Sequence, residues 1–379
     1  SYKKIKKIGV DRQEIETYRS KKLQEGIGGI KEIKSFAMED FFSNQYSNLS
    51  IKLSKAYYLF YVIQKIPKLY FETIAIAGIV MFCYYLISID TELNTVVASL
   101  GIIVVASLRL IPSANRALNC YSGLKYSFPA INLIYQEVKN EKNLIFKNND
   151  SQEIKFKKNI QLFNLSFKYQ SRNNFILENT NLEIQKGEKI AILGNSGSGK
   201  STLLDLIMGF HNPISGKILI DNNEAELNSP KWKKLVGYVS QSIYLFDDTI
   251  LENIALGAKI KDLDKDYLEQ CINICELNSL INNLPQKVDS AVGEGGAKIS
   301  GGQKQRIGIA RALFKKPSIL ILDEATNALD KETEIKLVNN LINKLKDTTI
   351  IMVTHKLDLV KNFNKTVKIE KAGLKIYNK

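Results

Sequence analysis

The spacing of apolar and polar positions divides the chain into three stretches of different character. Residues 1–60 are polar, lysine-rich and helical in pattern, and Gly26, Gly28 and Gly29 break that pattern, which predicts a turn or a short transverse helix there. From Ile66 the polar positions thin out. Leu69 to Ile89 (LYFETIAIAGIVMFCYYLISI) is an apolar run about as long as a helix that crosses a hydrocarbon core. Asp90, Thr91, Glu92 and Asn94 form a short polar turn, and Thr95 to Ile111 (TVVASLGIIVVASLRLI) is a second apolar run. Neither run shows the striping of a half-buried helix, which argues against a buried hairpin in a soluble protein. A helical pattern continues to about Val138, followed by a polar, unpatterned stretch that predicts a linker over 140–151. From 152 to 379 strand-like runs alternate with helix-like segments, the pattern of an α/β domain. The expectation is an all-α membrane segment over 1–139, with spans near 69–89 and 95–111, ahead of an α/β domain over 152–379.

Charge sharpens this division. A net charge of +14 and an isoelectric point near 9.3 suit either nucleic acid or an anionic membrane face. The lysines are spread along the chain rather than gathered with aromatics into a stripe, which favours the membrane, and no nucleic-acid partner is expected. Lys55, Lys65 and Lys68 precede the first run, Arg116 and Lys125 follow the second, and the loop between is acidic. The positive-inside tendency therefore puts both flanks in the cytoplasm and the 90–94 turn outside. Arg109 lies within the second run, where an unpaired charge costs roughly 2.5–3.5 kcal/mol on insertion scales. It either snorkels to the interface or lines a cavity with Arg116 and meets an anionic substrate. Of the four cysteines, Cys271 and Cys275 are one helical turn apart, a spacing that suits core packing better than a metal. The chain starts at Ser1 without a visible signal peptide, so a piece of a longer protein is expected.

The chemistry is concentrated at Lys189 to Thr202, KIAILGNSGSGKST. A short apolar strand runs into Gly194-Asn195-Ser196-Gly197-Ser198-Gly199-Lys200-Ser201, which satisfies every fixed position of a P-loop, and a helix continues from Thr202. The glycines remove Cβ atoms from the path of a polyphosphate, and consecutive N–H groups at the start of the helix face it. Lys200 adds a cation and Ser201 a hydroxyl ligand for Mg²⁺. Downstream, the strand Ser318 to Leu322 ends in Asp323-Glu324. Asp323 is expected to hold Mg²⁺, and Glu324 to orient or deprotonate the attacking water. Ile299-Ser300-Gly301-Gly302-Gln303 opens a helix, either as a second phosphate-binding end or as a capped tight turn. Gln241 and His355 each follow a strand, placing polar side chains at strand ends; His211 reads as a loop residue without a role.

In this order the P-loop, Gln241, the 299–303 pentapeptide, Asp323-Glu324 and His355 resemble the nucleotide-binding domain of an ABC transporter over essentially all of 152–379. The resemblance implies an α/β P-loop NTPase with a helical subdomain, preceded by an all-α transmembrane segment, with ATP and Mg²⁺ as ligands. It also implies that Tyr169 stacks on adenine, that Asn327-Ala328-Leu329-Asp330 is the D-loop, and that Gly293-Glu294-Gly295-Gly296 matches the X-loop of exporters. Two positions depart from the family: Ile299 stands for Leu and Asn327 for Ser. Gln241 joins Ser201 and Asp323 at the metal. Ser300, Gly301, Gly302 and Gln303 are expected to close on the γ-phosphate of a second copy in a head-to-tail dimer.

The first 150 residues are similar to the end of an exporter transmembrane domain. Gly26 to Phe36 with Glu39 matches its second cytoplasmic loop, and the apolar runs match spans five and six, so four spans are expected to be missing. Arg109 to Arg116 with Ile134-Tyr135-Gln136 looks most like the lipid-linked oligosaccharide flippase of bacterial protein N-glycosylation. That resemblance implies a half-transporter of the bacterial inner membrane, in contact with membrane lipid and moving an anionic lipid-linked glycan. Export of a lipid, peptide or drug, and a soluble ABC-type ATPase, are the other readings.

Overall fold

The computed structural model describes residues 2–89, 93–141, 156–224, 226–258 and 263–378. Residues 90–92 of the expected polar turn, and the expected linker from 142 onward, lie outside the described residues. The chain divides into two units, Ser1–Lys147 and Asn148–Lys379.

The described residues of the first unit are almost all helical. Helix α1 (Tyr2–Gly28) stops at Gly29 and a short α2 (Ile30–Ser35) follows, so the glycine cluster does interrupt the helix. Helices α3 (Glu39–Ser88) and α4 (Leu93–Glu141) have 50 and 49 residues. Each is roughly 75 Å long at 1.5 Å per residue, more than twice a hydrocarbon core. The apolar runs are therefore only parts of these helices, and the polar remainder extends beyond them. Pro67, Pro112 and Pro129 lie inside them, each removing a backbone donor. No residue in the most apolar stretch of each helix is buried, which suits a lipid-facing surface better than a buried hairpin. The polar ends pack differently. Ile5, Leu53 and Tyr126 are buried, Phe60 stacks on Tyr126 at 3.8 Å, and the Arg12 guanidinium lies 4.7 Å over the same ring. A Cβ at Gly9 would come 2.5 Å from the Tyr126 carbonyl oxygen, so glycine sets how closely α1 approaches α4.

The second unit is built on two sheets. Strands β1 (Asn159–Phe167), β2 (Leu177–Gln185), β4 (Ser215–Ile220) and β5 (Asn223–Glu224) form an antiparallel sheet in the order β2-β1-β4-β5. Strands β3 (Lys189–Gly194), β6 (Val236–Val239), β7 (Ile319–Asp323), β8 (Thr349–Val353), β9 (Lys365–Glu370) and β10 (Gly373–Asn378) form the other, ordered β10-β9-β3-β8-β7-β6. This second sheet is parallel except at β10. Its central strands β3, β7 and β8 are apolar on both faces, and their side chains alternate between two cores. Ile190, Ile192, Ile319, Ile321, Ile351 and Val353 face the core shared with the antiparallel sheet and α5 (Lys200–Ile207). Trp232 of α6 (Pro230–Leu235) is fully buried there, donating from Nε1 to the Ile207 carbonyl at 3.0 Å. Ala191, Leu320, Leu322, Ile350 and Met352 face the opposite core. That core is closed by α7 (Ile250–Ile254), α8 (Lys265–Ile274), α9 (Asn278–Asn282), α10 (Gly301–Phe314), α11 (Lys331–Lys344) and α12 (Leu357–Val360). Cys271 and Cys275 are buried within it, and burial pushes the Cys271 thiol up to about 11. At the start of β3, buried Lys189 donates from Nζ to the carbonyls of Gly187, Leu345, Lys346 and Thr348 at 2.6–3.2 Å.

Candidate nucleotide site

The site lies where β3, β6, β7 and β8 end, the edge at which parallel sheets leave backbone and side chains free for a ligand. Strand β3 ends at Gly194, the loop turns through Gly197 (φ 75°) and Gly199 (φ 104°), and α5 begins at Lys200. Gly199 cannot be replaced without cost, because an added Cβ would meet Ile176 Cγ2 at 2.6 Å. Lys200 is only 6% exposed, and its Nζ donates to the carbonyls of Gly194 and Asn195 at 3.0 Å each. The hydroxyl of Ser198 is buried without a hydrogen-bond partner, an unspent polar group within the loop.

Strand β7 delivers the acids. Asp323 is buried, the Ser201 hydroxyl hydrogen-bonds it, and burial pushes its carboxyl above the ordinary range despite that bond. Burial raises Asp205 as well, and together with Asp323 and Asp205 it pushes the Tyr238 phenol to about 12. Glu324 has φ 50°, in the left-handed region that few non-glycine residues adopt. Its Oε2 accepts from Gln241 Nε2 at 2.9 Å and Asn327 Nδ2 at 3.0 Å. Its Oε1 lies 2.7 Å from His355 Nε2 and 3.9 Å from Lys200 Nζ.

Lys200, Gln241, Glu324 and His355 converge on one cavity of about 320 Å³, lined also by Tyr169, Ser196 and Ser201. The Tyr169 hydroxyl is 3.2 Å from Thr202 Oγ1, and its ring meets Phe167 and His211 edge-on at 5.1 and 5.4 Å. The Ser201 hydroxyl, the Asp323 carboxylate and the Gln241 amide oxygen form an all-oxygen donor set of the kind Mg²⁺ takes alongside phosphate oxygens. Gln241 commits its nitrogen to Glu324, which leaves the oxygen for the cation.

Other predicted site residues lie elsewhere. Ser300 caps α10, accepting from Gln303 N while Gln303 Oε1 accepts from Ser300 N, and neither these residues nor Gly301 and Gly302 line the cavity. Arg109 and Arg116 are exposed on α4 in the first unit. A groove of about 510 Å³ between α3 and α4 is lined by Val104, Leu108, Ile111 and Pro112, with the Lys68–Glu72 ion pair at 3.6 Å, and neither arginine lines it.

Sequence reasoning missed three residues. His211 stacks on Phe167 at 5.3 Å and so props Tyr169, although its sequence setting gave it no role. Arg172 lines both the nucleotide cavity and a neighbouring one of about 560 Å³. Gln305, buried in α10, accepts from Ala328 N at 2.9 Å and ties the signature helix to the D-loop segment. A run of polar residues inside an otherwise apolar helix was the only available signal for Gln305.

The profile of the family described as ABC transporter matches residues 177–327, spanning the P-loop, the capped helix and Asp323-Glu324. The second unit thus has the fold of an ABC-type P-loop NTPase domain. Its relatives agree. A putative multidrug export ATP-binding/permease protein, YgaD, of Bacillus subtilis is 32% identical over 98% of this chain and 64% of its own length. An ATP-dependent lipid A-core flippase of Ralstonia nicotianae is 37% identical over 54% of this chain and 35% of its own. Multidrug resistance protein 3 of Entamoeba histolytica is 44% identical over 55% of this chain and 16% of its own. The chain thus spans less than two thirds of the length of these relatives. Among solved structures, a bacterial Atm1-family ABC exporter with ATP bound shares the fold of the ABC domain and the helical segment ahead of it. Its TM-score is 0.78 at 23% identity, over 99% of this chain and 67% of that one.

Proposed function

We propose that this chain is the ATP-hydrolysing half of a membrane exporter that works as a head-to-tail pair with a second copy of itself. The observation that carries the reading is the meeting of the P-loop, the oxygen donors Ser201 and Gln241, and Glu324 in one cavity. In this reading the glycine turn and Lys200 seat the triphosphate, and Ser201, Gln241 and Asp323 hold Mg²⁺, which neutralises phosphate charge when bound. Glu324 takes a proton from water as the water oxygen attacks the γ-phosphorus, and the bond to the ADP oxygen breaks. Tyr169 offers its ring to adenine. Since Ser300 to Gln303 lie outside their own cavity, the reading assigns them to the partner's nucleotide. The test is phosphate release by the full chain in lipid nanodiscs with Mg²⁺ and ATP. Release that depends on Lys200 supports the reading, whereas folded protein that binds no ATP and releases no phosphate overturns it.

We assign the cargo to anionic lipid-linked glycans, carried by α3 and α4 in the bacterial inner membrane with the ABC domain in the cytoplasm. Support comes from Arg109 and Arg116, which are both exposed. Seven residues apart, they lie on one face of α4 about 10 Å from each other along its axis. The apolar groove between α3 and α4 supports a lipidic cargo more generally, in line with the flippase and multidrug names of the relatives. ATPase stimulation by a polyprenyl-pyrophosphate glycan, set against simple lipids, separates the two. If R109A and R116A leave that stimulation intact, the arginines have no part in it.

A further inference from the structure

A general base needs an open lone pair, and Glu324 in the nucleotide-free domain has few to offer. Of the four lone-pair sites of a carboxylate, three are taken: two on Oε2 by Gln241 and Asn327, one on Oε1 by His355. One of these donors, Gln241, has other work at the cation in the reading above, and another, His355, lines the nucleotide cavity. Asn327 has none, because it lies outside the cavity lining. It sits instead on an exposed turn, held by a bond from its own N–H to the Glu324 carbonyl at 3.2 Å. The next residue, Ala328, is gripped by the signature helix: Gln305 Oε1 accepts from its N–H at 2.9 Å. A Cβ on Gly302 would come 2.9 Å from the Ala328 carbonyl oxygen, so the helix tip and this turn are in close contact.

We propose that Asn327 is a positioning residue that latches Glu324. Its amide keeps Oε2 engaged at rest, and movement of the helix tip against the 327–328 turn withdraws it and opens Oε2 to water. The latch makes the state of Ser300 to Gly302, where a second copy's nucleotide would seat, felt at the base of the same chain. A serine at 327 has a hydroxyl on one carbon where Asn327 has an amide on two, so the latch is a property of the asparagine. The inference rests on Glu324 being the base.

The test uses the full chain in nanodiscs with N327A and N327Q. Losing the latch, N327A raises basal kcat about three- to tenfold, the equivalent of one net hydrogen bond. KM for ATP stays within about twofold and the melting temperature falls by no more than about 4 °C. N327Q, which keeps an amide donor, gives a smaller rise. A kcat that is unchanged or lowered in N327A overturns the latch. A second readout needs no turnover: carbodiimide labelling of Glu324 without nucleotide, followed by mass spectrometry, is faster in N327A than in the parent. Equal labelling rates overturn the latch even if the parent releases no phosphate, an outcome that would separately overturn the ATPase reading.

Discussion

Replacing Glu324 with glutamine changes one atom and reverses one hydrogen-bonding role. The parent carboxylate, 15% exposed, accepts from Gln241, Asn327 and His355. An amide matches that set in only one orientation. Its oxygen must take the Oε2 place, keeping Gln241 and Asn327, and its NH₂ must then face His355, whose Nε2 accepts in the other tautomer. No bond is lost outright, but three charge-assisted bonds become neutral, each weakened by about 1 kcal/mol. Removal of a partly buried charge offsets some of this, so E324Q should fold with a stability loss of no more than about 3 kcal/mol. Catalysis answers to a different quantity. Loss of a general base lowers kcat by about 10²–10⁴-fold, or roughly 3–5 kcal/mol of barrier. ATP affinity holds or improves, because an anion near the triphosphate has gone. Single-turnover phosphate release and fluorescent-nucleotide binding, measured on the same preparation, separate the two effects. A kcat within about threefold of the parent would refute the base assignment.

Lys200→Ala removes a cation that sits at the phosphate loop, and should weaken ATP binding and turnover together, as titration of the same nanodisc samples would show. Lys189→Met leaves the carbonyls of Gly187, Leu345, Lys346 and Thr348 without their shared donor, and should cost about 1–3 kcal/mol by denaturant titration; a loss under about 0.5 kcal/mol would contradict the clamp. Burial raises the thiols of Cys271 and Cys275 above their ordinary range, so at pH 8 iodoacetamide should spare both in native protein while exposed Cys120 reacts. The sign for stability follows: their contribution is full below about 8.5, the unfolded thiol value, and is lost as pH climbs through the folded values, about 11 for Cys271. Trp232→Phe orphans the Ile207 carbonyl and should cost about 1–3 kcal/mol, read by circular dichroism because the chain then contains no tryptophan.

What the sequence disclosed was local. A P-loop announces itself because the turn needs glycine at fixed places and the flanking strand and helix need their own periodicities, all within fourteen residues from Lys189 to Thr202. Asp323-Glu324 was legible for the same reason, as acids ending an apolar strand. What escaped depends on residues far apart meeting in space. His211 supports Tyr169 across 42 positions, and Gln305 reaches Ala328 across 23, neither with any periodic trace. Asn327 stood out only as an odd letter in a familiar motif, and its bond to Glu324 came from the turn's backbone. In the first unit, hydropathy marked the runs 69–89 and 95–111, whereas the helices span Glu39–Ser88 and Leu93–Glu141. Hydropathy responds to what surrounds a helix; the helix itself ends where backbone bonding ends.

The alternation of side chains in β7 carries a consequence for how this domain can evolve. Ile319 and Ile321 point to one apolar layer, Leu320 and Leu322 to the other, and Asp323 pairs with Val353 at the rim. Deleting or inserting a single residue in that strand would swap the occupants of both layers at once, besides carrying the carboxylate to the wrong side. Length changes there should survive only in steps of two, while the loops on either side remain free to vary by one.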